Sequence, residues 1–145
     1  SKRSRGMCLY FMKKYENFSS HLCVLSKASE QDLDNEFIVS GIIDKFFIQF
    51  ELGWKLFKVL LQYEGNPVGG TGSPREIIKA AYRCFDFMDE DVWLDMLRAR
   101  NNMAHIYDGG EARRLVDEIL VRYIPAFERL GKEVSALYGD ALQDF

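Results

Sequence analysis

Phe46-Phe-Ile-Gln-Phe-Glu-Leu-Gly-Trp-Lys-Leu-Phe57 is the stretch whose reading decides the fold. Phe47, Phe50, Trp54 and Phe57 recur at steps of three and four, and Leu61 continues the series. That is the period of a helix with one buried face. Ile43, Phe46 and Leu60 widen the face, so the spacing predicts one long helix from Phe37 to Tyr63. A single neighbour cannot cover so much aromatic surface, which places this helix inside a bundle, with a dimer seam as a further outlet. Gly41 and Gly53 lower helix propensity but allow another helix to come close.

Upstream, Leu9, Met12, Tyr15, Phe18, Leu22 and Leu25 keep the same spacing and predict a helix over Cys8–Ala28. His21 sits on it alone and reads as a surface or half-buried histidine. Ser29-Glu-Gln-Asp-Leu-Asp34 is a polar break offering helix caps at Ser29, Asp32 or Asp34. Downstream, Gly65-Asn-Pro-Val-Gly-Gly-Thr-Gly72 predicts a loop. No Lys-Ser/Thr follows it and no strand pattern precedes it, so it reads as a connector or a lid, not as a phosphate cradle. Ser73-Pro-Arg-Glu76 is a capping box with proline at the first helical position, and the helix it starts runs toward Phe85.

Asp86-Phe-Met-Asp-Glu-Asp91 breaks the chain before Val92, Trp93, Met96 and Leu97 resume the helical period. After Gly110 a stripe of Leu115, Ile119, Tyr123, Phe127, Leu130, Val134 and Leu137 predicts a last helix, kinked or split at Pro125. Nothing alternates as a strand does. The expected fold is all-α, an up-and-down bundle of four to five helices in one domain over residues 1–145, with residues 1–6 and 139–145 frayed.

Composition narrows the function classes. With 145 residues, 48% hydrophobic and 14% aromatic, the chain can bury a core and is not of a disordered type. A net charge of −3 means that nucleic-acid binding has to come from a local patch and not from bulk basicity. Cys8, Cys23 and Cys84 lack the close pairing of a zinc site and read as reduced, mostly buried thiols. The apolar run after the basic Lys2, Arg3 and Arg5 is too short for a signal peptide, and no run approaches the ~20 residues of a membrane span. A cytoplasmic protein without membrane partners is expected.

The candidate site is Arg98-Ala-Arg-Asn-Asn-Met-Ala-His-Ile-Tyr-Asp108, which Gly109 and Gly110 end. Arg100 carries a permanent charge and a planar fork of donors for a phosphate or carboxylate. His105 can exchange a proton near neutrality. Together they suit metal-free phosphodiester chemistry. Alternatively, Arg98 and Arg100 are solvated helix-face charges, and His105 is a C-terminal residue favoured by the macrodipole. Five residues place Arg100 and His105 about 140° apart on a regular helix, so they converge only if the helix ends near Met103 or a second copy completes the site. Asn101 and His105 share a face. Glu51 is either a solvated carboxylate or the group that positions Arg100 or an amide.

Three stretches resemble one family. Arg100-Asn101, followed by His105 and Tyr107, resembles the HEPN signature. Phe50-Glu-Leu-Gly-Trp-Lys-Leu-Phe57, and Ser73-Pro-Arg-Glu76 with Trp93-Leu-Asp-Met-Leu97, resemble the branch called nucleotidyltransferase substrate-binding proteins. The resemblance implies a helical homodimer with its Arg/His motifs facing across a cleft, and a minimal nucleotidyltransferase as partner in a heterotetramer or larger complex. It implies Arg100 and His105 as catalytic or ligand-binding residues, Asn101 as their polar neighbour and Tyr107 as a modification site; the residues themselves add Arg98, Asn102 and Glu51 to Asn101 as candidate substrate-binding residues. No cofactor and no metal are implied.

The first expected function is a substrate-binding subunit that holds a nucleotide, RNA or partner in the dimer cleft. The alternative is a metal-independent endoribonuclease toxin neutralised by its nucleotidyltransferase antitoxin. A purely structural helical dimer is the third.

Overall fold

The computed structural model describes residues 2–143, with side-chain detail for residues 9–139. In order, its helices are α1 (Lys2–Leu25), α2 (Glu36–Tyr63), α3 (Val68–Thr71), α4 (Pro74–Cys84), α5 (Glu90–Asn101), α6 (Glu111–Glu118) and α7 (Ile124–Gln143). Short 3-10 turns follow α1 at Ser26–Glu30 and α5 at Met103–His105. A π turn, Ile119–Tyr123, joins α6 directly to α7. With α6 and α7 as one rod and α3 as a single turn, the fold is an all-α bundle of five helices, and the described residues contain no strand.

Side-chain pairs fix the directions. Phe11 meets Tyr138 and Phe18 meets Phe127, so α1 and α7 run antiparallel. Phe46 stacks on Tyr123 and Tyr63 meets Tyr138, so α2 and α7 run the same way. On α5, Trp93 lies against Phe57 while Arg100 lies against Glu51, which makes α5 antiparallel to α2. Helices α1, α2, α5 and α7 therefore alternate up and down around one core, and α4 packs on α2 and α5.

That core is aromatic. Phe18, Phe46, Phe50, Phe57 and Phe127 are fully buried, each burial being worth roughly 1.5–3 kcal/mol. Trp93 is the common neighbour of Phe50, Phe57 and Phe127. It reaches them because α2 carries glycine where the indole crosses: a Cβ on Gly53 would stand 2.8 Å from Trp93 Cη2. Gly41 has no such role, since a Cβ there meets nothing within 4 Å. One buried polar side chain, Gln49, is satisfied by donating to the Phe18 carbonyl (3.0 Å) and accepting from half-buried His21 Nδ1 (2.6 Å).

Local chemistry sets the boundaries. The capping box holds: Ser73 Oγ accepts from the Glu76 amide, and Glu76 accepts from the Ser73 amide. The cap of α2 is Asn35 rather than Ser29, Asp32 or Asp34, its Oδ1 accepting from the Phe37 and Ile38 amides. Asp32 and Asp34 belong instead to a local turn, where Asp32 Oδ1 accepts from the Asp34 amide.

Other expectations need correction. The glycine-rich stretch is not a free connector, because it folds into the single turn α3 and Gly69 is buried against the α2 backbone at Lys58 and Gln62. Cys23 and Cys84 are exposed, not buried: Cys23 falls off the stripe that carries Phe18, Leu22 and Leu25 on α1, and Cys84 is the last residue of α4. Leu137, the end of the last stripe, is exposed as well. The side chain of Cys8, and most of the ends expected to fray over 1–6 and 139–145, lie outside the residues whose side chains are described. No helix among the described residues is long and apolar enough to cross a membrane.

Replacing Gly53 by alanine gains about 1 kcal/mol of helix propensity but drives a methyl into a rigid, buried indole. Gly53→Ala is expected to destabilise the fold by about 1–2 kcal/mol net, read as a lower denaturant midpoint at unchanged slope.

Candidate functional site

Two faces of α5 divide the site. Trp93, Met96 and Leu97 turn inward, and one turn on Arg100 continues that side toward α2. There its Nε pairs with Glu51 Oε1 at 3.0 Å. The other oxygen of Glu51 accepts from Trp54 Nε1 at 2.9 Å and lies 3.9 Å from Lys55 Nζ. Glu51 is thus a shared acceptor that fixes the direction of Arg100, the second of the two roles the sequence allowed.

Asp95, Arg98, Ala99 and Asn102 line the opposite face at the same helical spacing. They form one wall of an open groove of about 630 Å³. Its other wall comes from Glu111, Arg114, Leu115 and Glu118 of α6 and from Arg122 and Tyr123 of the π turn. His105 and Ile106 complete the lining. Among the described residues no three His, Cys, Asp or Glu side chains converge as metal ligands would.

The motif itself is a tight reversal. α5 ends at Asn101, a 3-10 turn carries Met103–His105, and Gly109 and Gly110 take φ values of +53° and +83° to start α6. From Asn101 to Gly110 only Ile106 is buried, and it anchors the turn to the core. His105 is 77% exposed and its Nδ1 donates to Asp108 Oδ2 at 3.3 Å, which leaves Nε2 unengaged by that contact. Tyr107 is exposed.

Of the residues singled out in the sequence, Arg98, Asn102 and His105 line the groove, whereas Arg100 and Glu51 form a pair on the other side of α5. Asn101, the exposed last residue of α5, and Tyr107, on the exposed turn, do not line the groove. Ending the helix near Met103 does not by itself bring Arg100 and His105 together: among the described residues they share no hydrogen bond, and only His105 reaches the groove.

Sequence reasoning missed the centre of the groove. Arg122 donates to Glu118 Oε2 at 2.7 Å and to Asp95 Oδ2 at 2.9 Å, and Asp95 Oδ1 also accepts from Arg98 at 3.0 Å. Glu118, and then Asp95, hold the Arg122 guanidinium charged more firmly than usual. The Glu118 and Arg122 spacing was visible as a helix-face pair, but only the fold joins Asp95 to Arg122. Burial, reinforced by the negative charges of Asp95 and Glu118, pushes the Tyr123 phenol up to about 12.

A family model described as nucleotidyltransferase substrate binding protein like matches residues 12–136. That span contains α2, the capping box and the whole Arg98–Asp108 stretch. No curated protein matches the chain.

The raised Tyr123 value has a signed consequence. Both folded and unfolded chains keep this proton well below pH 10, and between 10 and about 12 the unfolded chain loses it first, so stability falls as pH rises through that window. Denaturation at about pH 9 and about pH 11 should show that loss, on the order of 1 kcal/mol, and Tyr123→Phe should reduce it. An equal loss in the variant would assign the alkaline sensitivity elsewhere.

Proposed function

The chain belongs to the nucleotidyltransferase substrate binding protein like family, whose membership ties it to a nucleotidyltransferase, and from this we propose that it is the substrate-binding subunit of a two-component minimal nucleotidyltransferase system. It acts as a single domain, pairs with a second copy, and presents a nucleotide, RNA or partner to the transferase from the cleft between them. One observation carries this reading. The motif is almost wholly exposed, and within one chain its arginine and histidine stand on different sides of α5. A second copy across the exposed turn supplies what one chain lacks, an Arg100 opposite a His105. An isologous pair does this twice, once at each motif.

Roles then follow by position. Arg100, oriented by Glu51, offers its remaining donors to a phosphate. His105, Asn101, Arg98 and Asn102 contact the bound group. Tyr107 is the accessible nucleophile if the subunit is itself a substrate: its phenolic oxygen attacks the α-phosphorus of ATP, a tyrosyl phosphodiester forms, pyrophosphate leaves and the phenolic proton goes to solvent.

A second reading is the metal-independent ribonuclease. The observation that favours it is the open His105, whose Nδ1 contact with Asp108 presents Nε2 for proton transfer to or from a ribose hydroxyl. In that case Arg100 stabilises the phosphorane-like charge.

Three measurements separate these readings. The purified chain should sediment as a dimer and form a stable complex with its cognate nucleotidyltransferase; a monomer that ignores the transferase would sink the subunit proposal. Incubated with that enzyme and ATP, wild type should gain an AMP mass that Tyr107→Phe does not, and identical spectra would remove Tyr107 as acceptor. RNA should survive incubation with wild type in EDTA. Cleavage by wild type that His105→Ala abolishes would instead establish the ribonuclease.

A further inference from the structure

We infer that the groove beside His105 binds the phosphate of a nucleotide between Arg98 on α5 and Arg114 on α6. The inference rests on the substrate-binding reading above and places a phosphate of the bound group in this groove within one chain, beside the cleft between copies. It adds Arg114 to the site.

The three arginines of the groove differ in how they are held. Arg122 is about one-third exposed and bonded to two carboxylates, so its charge is committed to joining α5 to the π turn. Arg98 and Arg114 are 72% and 71% exposed. Each pairs with a single carboxylate three residues earlier on its own strand of helix, Asp95 for Arg98 and Glu111 for Arg114. Exposed pairs of this type are worth roughly 0–1 kcal/mol, so a stronger anion can displace them.

Displacement leaves little unsatisfied. When Arg98 turns to a ligand, Asp95 keeps its bond from Arg122. When Arg114 turns, Glu111 is half exposed and returns to water. A phosphate carries enough acceptor oxygens to take the planar forks of both arginines at once.

The rest of the lining says more than phosphate. Its volume of about 630 Å³ falls within the roughly 300–1,000 Å³ of small-molecule sites. Ile106, Leu115 and Tyr123 give it an apolar floor under a base or ribose. Asn102 and His105 supply polar partners for a base edge or hydroxyl. Asp95, Glu111 and Glu118 balance the three arginines of the lining, and an apolar floor beside two displaceable arginines fits a nucleotide better than inorganic phosphate or an uncharged nucleoside. The nucleotide can be free or part of an RNA strand, since both present the same phosphate and ribose.

Calorimetric titration of the 145-residue chain tests the site with AMP, adenosine, inorganic phosphate and a short single-stranded oligoribonucleotide. AMP or the oligonucleotide should bind more tightly than adenosine or phosphate. Arg98→Gln and Arg114→Gln should each weaken that binding about tenfold or more, and Arg114→Lys should weaken it less. Arg75→Gln, on α4 outside the groove, should leave it unchanged. AMP as the tighter ligand identifies a free nucleotide, and the oligonucleotide as the tighter ligand identifies RNA; either supports the site. Binding that survives both glutamine variants, or no binding of either ligand, overturns it. Those failures are separate from failure of the subunit reading, because assembly with the nucleotidyltransferase is scored independently on the same wild-type and variant chains.

Discussion

The contact on which the rest of the structure depends is Trp93 over Gly53. An indole is too large to cross a helix that carries a side chain at the crossing point, and α2 meets it with none. The closeness of that crossing lets one α5 side chain touch Phe50 and Phe57 of α2 and Phe127 of α7 together. A wedge held on three sides cannot rotate. The rotation of α5 about its axis is therefore fixed by the core, well before any of its polar residues is considered.

Once that rotation is fixed, the polar residues have no choice of side. Arg100 follows Trp93, Met96 and Leu97 and arrives at Glu51, while Asp95, Arg98 and Asn102 face α6. The two arginines of the motif, only two residues apart, thereby enter different electrostatic settings. Arg100 meets a carboxylate already shared with Trp54, which holds its direction. Arg98 meets a carboxylate whose other oxygen is taken by Arg122, so its own hold on Asp95 is the weaker half of a shared acceptor. One arginine is oriented and the other is exchangeable, and this difference comes from packing, not from residue type.

What could be read from the chain follows from range. The α2 helix, the capping box at Ser73 and the polar turn after Arg100 are written in neighbouring residues, so spacing alone disclosed them. The Asn35 cap was misplaced because four polar residues compete within one short break, and only the final chain direction decides which side chain meets free amides. Cys23 and Cys84 were misjudged because a residue type that is commonly buried was weighed above its place, off the apolar stripe of α1 for Cys23 and at the last residue of α4 for Cys84. The link of Asp95 to Arg122 and Glu118 across the groove was invisible for a different reason. Residues 95 and 122 lie on separate helices, and in a single sequence each looks like a solvated charge. The family resemblance supplied the motif but no partner residue on α6.

The π turn shows that a long-range feature can nevertheless leave a local trace. Leu115, Ile119, Tyr123 and Phe127 are separated by three consecutive steps of four, whereas a regular helix needs a mixture of three and four to keep a stripe straight. Each step of four overshoots a full turn by about 40°, so three of them would carry the stripe about 120° around the rod and off the core. A wider turn over Ile119–Tyr123 absorbs that drift, and all four side chains remain buried. The same widening comes immediately before Pro125, which has no amide to donate to the preceding turn and whose ring crowds the carbonyl there. The break expected at the proline is thus relocated one turn earlier and spread over five residues. It also places Arg122 and Tyr123 at the groove while Ile119 and Ile124 stay in the core, so the irregularity that keeps the apolar stripe buried is the one that builds the groove wall.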